Sequence, residues 1–174
     1  LQGHEQAAAQ MAGRTETSTR TDNQQKADTG EMLRRAVAKG DAGKVLQLLS
    51  QTVDVNSRDQ YGRTALMEAA SLDDPTITKL LLHQGARVDE VSKQGEAPLH
   101  IGAARGSHAV VQALVKGRAD INRRDAVGST ALMIAAERGR IDVVASLIAA
   151  GADLEARDRN GRTALQIAED RQQT

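Results

Sequence analysis

The sequence predicts an all-α solenoid, a stack of short helix pairs, and three observations lead to this fold class. Similar nine-residue segments recur 33 residues apart, each beginning with a glycine, at Gly62, Gly95, Gly128 and Gly161. Leucine recurs in the same register, at Leu33, Leu66, Leu99, Leu132 and Leu165. The chain has one tyrosine and no phenylalanine or tryptophan, so thin layers of small aliphatic side chains must form the core. A fixed period of this size is typical of repeat proteins, in which each unit packs on its neighbours.

Residues 1–29 differ from the repeating part of the chain. They contain five glutamines and no valine or isoleucine, so they cannot bury enough apolar surface to offset the entropy of ordering. We interpret this segment as a flexible polar leader; the alternative is a peptide that folds onto a partner or onto the first repeat. The sequence begins with Leu1 rather than methionine, which suits either a removed signal peptide or a trimmed chain.

The repeat domain is predicted over 30–174. Its units are expected at about 30–59, 60–92, 93–125 and 126–158, followed by a C-terminal capping half-repeat over 159–174. Each full unit should hold two helices. The terminal units are expected to present a polar outer face, because a solenoid otherwise leaves an apolar layer open to water.

Residues at repeated positions mark where the helices begin and end. First helices should start after threonines whose hydroxyl accepts a backbone N–H, at Thr64, Thr130 and Thr163. The pair Asp74-Pro75 supplies a cap and a helix-starting proline for one second helix. Left-handed glycines that end second helices are expected at Gly85 and Gly151, whereas Arg118 occupies this place in the third full unit.

These features resemble the ankyrin-repeat family from residue 30 to about residue 170. The resemblance rests on the glycine-led openings, the Ala-Ala pairs at 69–70 and 135–136, and the helix–helix turns at Gly40, Gly106 and Gly139. It implies paired antiparallel helices in a curved array, with β-hairpin-like turns projecting to one side. Irregularities such as Arg118, and Ala97 in place of a capping threonine, indicate a natural sequence, for which we expect a bacterial origin.

The sequence lacks the residue patterns of known catalytic sites. It has no cysteine, which excludes disulfides and Cys-ligated zinc, and its four histidines lack the spacing of a helical zinc site. The resemblance implies that His100 ties turns together by hydrogen bonds. Neither a Gly-x-Ser-x-Gly elbow nor a phosphate-binding glycine loop is present. We therefore predict no enzyme activity, no metal and no cofactor.

The resemblance also implies where a partner binds, on the concave side formed by the turn tips and the first helices. Carried over by register, it gives these partner-binding residues: Gln60, Tyr61, Arg63, Leu72, Lys93, Gln94, Arg105, Val127, Arg138, Arg159 and Arg162. Tyrosine is a frequent binding hot spot. Basic residues predominate on this strip, although 23 basic and 23 acidic residues balance in the whole chain. We predict a protein partner with an acidic patch, bound by a monomer.

The leading functional prediction is a non-catalytic protein-interaction module. The alternative is a bacterial exported accessory, inhibitor or immunity-type protein that neutralises or protects a partner enzyme. The location would be periplasmic or secreted if a signal peptide precedes Leu1, and cytoplasmic otherwise. Zero net charge and scarce aromatic residues argue against nucleic-acid binding. No apolar run approaches the roughly 20 residues of a membrane span.

Overall fold

A computed structural model describes residues 24–25 and 28–172, and its helices alternate between two rows. The predicted leader over 1–29 lies mostly outside the described residues, and helix α1 already covers residue 28, two residues before the predicted boundary. No strand occurs in the described part of the chain. The helices are α1 (28–38), α2 (Ala42–Leu49), α3 (Ala65–Ser71), α4 (Pro75–His83), α5 (Pro98–Arg105), α6 (His108–Lys116), α7 (Ala131–Glu137), α8 (Ile141–Ala149) and α9 (Ala164–Gln172).

The contacts between helices define a solenoid. First helices α3, α5, α7 and α9 each contact the next in the series, and second helices α2, α4, α6 and α8 do the same. Within a unit, α3 packs on α4, α5 on α6, and α7 on α8. The predicted all-α stack of helix pairs is therefore confirmed.

Leucines and alanines of the repeated positions hold the layers together. Leu66, Leu99 and Leu132 are buried, and so are Ala69 and Ala135 one helical turn later. Burying a leucine contributes about 1.5–3 kcal/mol, and alanine lets neighbouring helices approach closely. The register seen in the sequence is thus the register of the core.

The first helices begin as the threonine pattern predicts. The hydroxyls of Thr64, Thr130 and Thr163 accept the backbone N–H three residues later, each at 3.4 Å. Ala97 has no such acceptor, and the backbone N–H three residues later, that of His100, donates to the Ala97 carbonyl at 3.0 Å instead. The imidazole ring of His100 bonds different groups. Its Nδ1 accepts the N–H of Ala97 at 3.1 Å, so Nε2 carries the proton and donates to the Arg123 carbonyl at 3.0 Å. The predicted structural role of His100 is confirmed.

Left-handed backbone recurs at fixed positions, and two of these positions lack the expected glycine. Gly85 and Gly151 have φ of 83° and 90°, as predicted, whereas Arg118, in the same register, has φ of 65°. Asp73 has φ of 58° at the turn between α3 and α4. Asp74, which follows it, caps α4: its Oδ1 accepts the backbone N–H groups of Thr76 and Ile77, each at 2.9 Å. A side chain in this backbone region is strained by about 1–2 kcal/mol.

The C-terminal layer departs from the leucine pattern of the preceding layers. Leu165 is 67% exposed, although Leu66, Leu99 and Leu132 at the same position are 1–2% exposed. The leucine register continues to this residue, but the burial that accompanies it in the other layers does not. Each buried leucine belongs to a first helix with a second helix packed behind it, whereas no described residue forms a second helix behind α9.

Candidate functional site

Each turn tip is a five-residue loop that one polar side chain holds closed. In three of the four tips an aspartate Oδ1 accepts the backbone N–H groups two and four residues later, at 2.8–2.9 Å. These are Asp59, Asp125 and Asp158; Ser92 does the same with its hydroxyl at 3.2 and 3.3 Å. Because these side chains are used internally, the exposed part of a tip is the two residues that follow.

Backbone hydrogen bonds join consecutive tips into one row. The N–H of Lys93 donates to the carbonyl of Tyr61 at 2.9 Å, and that of Ala126 donates to Gln94 at 3.3 Å. Arg159 donates to Val127 at 3.4 Å in the same way. We call the surface formed by residues 60–61, 93–94, 126–127 and 159–160, together with the exposed ends of the first helices, the turn-tip face.

An open groove of about 480 Å³ lies on this face between the second and third units. It brings together four residues predicted from the sequence to bind a partner: Tyr61, Arg63, Gln94 and Arg105. Ile101, Ala104, Ser92 and Glu96 complete its lining. The groove combines an exposed aromatic ring and aliphatic carbons with arginine side chains, a mixture typical of protein-binding sites.

Ion pairs change the charge that this face offers. Arg63 pairs with Glu68 at 3.1 Å, and Arg162 pairs with Asp158 at 3.0 Å and with Asp170 at 3.7 Å. These two arginines are therefore partly neutralised. Among the described residues, no side-chain hydrogen bond or ion pair is found for the other basic residues of the predicted set, which are Lys93, Arg105, Arg138 and Arg159.

The remaining predicted residues lie along the face but outside this groove. Val127 is 59% exposed at a tip, and Leu72 is exposed just after α3. Arg138 follows α7 in the same way. Gln60 and Arg63 line a second groove, of about 530 Å³, between the first and second units. The predicted set thus occupies a strip, and one part of it forms a concave site.

Sequence reasoning missed most of the second groove. Arg34, Arg35 and Arg58 line it, together with the acidic side chains of Glu31 and Glu68. Arg34 donates to the Ser57 hydroxyl at 2.7 Å, and Arg58 pairs with Glu90. Arg34 and Arg35 share the register of residues 67 and 68, which the predicted set does not include, so carrying that set one repeat back does not reach them.

The surroundings of Asp158, at the last turn tip, shift its pKa. The backbone N–H of Arg162 is the main cause that lowers the pKa of this carboxyl below its usual 3.8, and burial partly opposes it. The guanidinium of Arg162 and the N–H of Asn160 lower the pKa further. The carboxylate is thus held in its charged form as a structural part of the last tip.

A serine–histidine contact links the second helices α6 and α8. The Ser146 hydroxyl lies 2.8 Å from Nδ1 of His108 and donates to the Asp142 carbonyl at 2.9 Å. Because that proton is already used, the imidazole Nδ1–H donates to the serine oxygen. A hydroxyl that receives the proton of the histidine is not activated for nucleophilic attack.

Two other kinds of feature, a metal-ligand cluster and a membrane-spanning helix, are absent from the described residues. No group of three or more metal-ligating side chains is present among them. No described helix is long and apolar enough to cross a membrane.

Known proteins share the repeat pattern. A family model described as ankyrin repeats (3 copies) matches residues 33–125 and 103–174, and the chain belongs to the ankyrin-repeat family. It is 37% identical over 59 residues to the ankyrin repeat, SAM and basic leucine zipper domain-containing protein 1 of Echinops telfairi, which is 34% of this chain and 12% of the relative. The protein of that name from Equus caballus is 37% identical over 60 residues, 34% of this chain and 13% of the relative.

These matches cover only a small part of each relative. The aligned part is about an eighth of their length, so they define the repeat and not the whole protein. Both organisms are mammals, and the bacterial origin expected from the sequence has no support from them.

Proposed function

We propose that this chain is a non-catalytic protein-interaction module that binds its partner on the turn-tip face. Ankyrin repeats are generally protein–protein interaction modules, and the family match extends over most of the chain. The observation that carries the proposal is the groove in which Tyr61, Arg63, Gln94 and Arg105 meet. These residues come from two repeats, so a partner that fills the groove contacts both.

The chemistry of the face favours an acidic partner with an apolar anchor. Tyr61 is 53% exposed and offers its ring at the edge of the groove. Arg105 and Lys93 lie in the same unit with side chains that are free of ion pairs among the described residues. Carboxylates of the partner would meet these cations, and an apolar side chain would cover Ile101 and Ala104. The chain would act as a monomer, because both parts of the groove come from one molecule.

The test is quantitative capture with three forms of the protein. The parent, the double variant Tyr61→Ala/Arg105→Glu and the control Lys79→Glu are immobilised and exposed to an extract of the source organism. Lys79 is exposed on α4, in the other row of helices. A true partner is retained by the parent and the control but reduced about tenfold or more on the double variant, since each change should weaken binding about fivefold. Equal retention on all three would show that this face is not used.

The exported inhibitor or immunity-type protein is a narrower form of the same proposal. It requires that the captured partner be an enzyme whose activity or stability changes when the purified chain is added. Measuring that activity with the parent and with the double variant separates inhibition from simple tethering. A partner without enzymatic activity would rule out this narrower role and leave the interaction module in place.

A further inference from the structure

A stripe of arginines runs along the solenoid at the ends of the first helices. One position of the repeat holds Arg105, Arg138 and Arg171 in three successive units. Arg105 and Arg171 lie in the last turns of α5 and α9, and Arg138 caps α7. All three residues are exposed. We call these three residues, with Arg140 beside them, the arginine stripe.

Contacts between layers hold part of the stripe in place. Nε of Arg140 donates to the Ala104 carbonyl at 3.4 Å, and Nη1 of Arg171 donates to the Glu137 carbonyl at 3.1 Å. These carbonyls lie at the C-terminal ends of α5 and α7, where a cation offsets the negative end of the helix dipole. The turn leaves room for the arginine, since a Cβ on Gly106 would lie 2.7 Å from Cδ of Arg140. Two members of the stripe therefore serve the fold as well.

The charges of Arg105 and Arg138 are not neutralised within the described ranges. Neither residue has an ion pair or a side-chain hydrogen bond there. The acidic residues next to the stripe do not pair with them: Glu137 has no ion pair in the same ranges, and Asp170 pairs with Arg162 at 3.7 Å. Guanidinium groups bind carboxylates by short, charge-assisted hydrogen bonds. An acidic ligand therefore fits this surface.

The spacing of the stripe limits the shape of that ligand. Helices α5, α7 and α9 pack on one another in series, and packed helices lie about 8–10 Å apart. An α-helix advances about 10.5 Å in seven residues, which is nearly two full turns, so residues seven apart lie on one side. A β-strand presents side chains to one side about every 7 Å or 13 Å, and neither distance matches. Carboxylates at every seventh position of a helix would meet the stripe once per layer.

The second unit carries a leucine at the position of the stripe. Leu72 follows α3 and is 40% exposed. An acidic polyproline helix also repeats about every 9 Å, but it would leave this leucine uncovered. We propose that the stripe binds an amphipathic helix of a partner protein, with acidic residues at every seventh position and an aliphatic residue one heptad away, opposite Leu72. This inference rests on the proposed function, since it specifies the acidic partner of the interaction module.

The probe is a stapled alanine-rich helix of about 22 residues, or about 33 Å. It carries one leucine and then three glutamates, each seven positions after the last, and we call it the heptad peptide. A control peptide has the same composition, but its glutamates are five positions apart and therefore spread around the helix. Fluorescence anisotropy with the full chain should show about tenfold tighter binding of the heptad peptide, because three ion pairs form together instead of one. Equal affinities, or no binding of either peptide, would overturn the proposal.

The matched protein variants are Arg138→Glu and Lys116→Glu. Both reverse an exposed cation at the C-terminal end of a helix, but Lys116 ends α6, in the other row of helices. Arg138→Glu should weaken binding of the heptad peptide about tenfold, and Lys116→Glu should leave it unchanged. The middle glutamate of the peptide faces residue 138, so a peptide with lysine there should prefer Arg138→Glu to the parent. Without this reversal of preference, the proposed register is wrong.

The result is separable from that of the proposed function. Arg138 does not line the groove in which Tyr61 and Arg105 meet. Tyr61→Ala should bind the heptad peptide as the parent does; loss of binding would assign the helix to the groove and contradict the stripe. If both peptides fail while capture of a partner still depends on Tyr61 and Arg105, the stripe is wrong and the interaction module stands. A single-stranded oligonucleotide that binds more tightly than the peptide, with equal dependence on Arg138, would overturn the assignment to a protein helix.

Discussion

The carbonyl oxygen of Tyr61 accepts a hydrogen bond from the backbone N–H of Lys93 at 2.9 Å, across two successive repeats. The only aromatic residue of the sequence is therefore carried by a tip that is fixed to the next tip. A binding surface that is already ordered loses less entropy when a partner arrives. The close approach of the tips depends on glycines, because an added Cβ would meet the next tip.

Gly95→Ala should destabilise the protein more than Gly161→Ala. Both glycines have left-handed backbone, with φ of 75° and 76°, so both substitutions carry a strain of about 1–2 kcal/mol. At Gly95 an added Cβ would also lie 2.7 Å from the amide nitrogen of Ala126, whereas at Gly161 nothing lies within 4 Å. We expect losses in the free energy of unfolding of about 3 and about 1 kcal/mol, respectively.

Urea denaturation of the parent and both variants measures this difference, and Gly161→Ala serves as the control for backbone strain alone. Equal losses for the two variants would mean that the close contact with the next tip contributes nothing.

Arg118→Gly should stabilise the protein by about 1 kcal/mol. Arg118 has φ of 65° at the end of α6, in the register that Gly85 and Gly151 occupy in other repeats. Glycine removes the strain between Cβ and the backbone, and this gain exceeds its entropic cost in the unfolded chain. Arg118→Ala is the matched control, because alanine removes the arginine but keeps the Cβ. A thermal midpoint that rises equally in both variants would assign the effect to the side chain and contradict the backbone explanation.

Asp158→Asn should remove a stabilising effect that depends on pH. The pKa of Asp158 is lower in the folded protein than its usual 3.8. The carboxylate therefore stabilises the fold fully above that usual value, and the effect is lost as pH falls through the lower folded pKa. The gap in thermal midpoint between the parent and Asp158→Asn should be constant from about pH 7 to about pH 5 and narrow at lower pH. A gap that widened on acidification would contradict the assigned direction.

The repeated residues predict much of the fold, and Leu165 is an exception with a clear physical cause. Leu66, Leu99 and Leu132 are buried as their register predicts, because each has the same neighbours in front and behind. Leu165 has the same residue type and register but is exposed. Its burial depends on a helix behind α9, and the residue itself carries no signal about that helix.

The sequence predicts which residues lie along the candidate site, but it does not predict which of their charges are neutralised by ion pairs. Register alone indicates that Tyr61 and Val127 are exposed, and both are. Register does not reveal that Arg63 folds back onto Glu68, or that Arg162 pairs with two carboxylates. Such ion pairs form only where the fold brings the two side chains within about 4 Å of each other. That distance depends on the path of the backbone through the turn and is not a property of either residue alone.

The row of hydrogen-bonded tips has a mechanical consequence. Each bond joins residues 32 positions apart, and each helix packs on helices of its own and adjacent layers. Load applied to the two ends of the chain would therefore pass from layer to layer rather than through one shared core. The molecule would come apart one repeat at a time, and each step would release 33 residues, roughly 110 Å of extended chain.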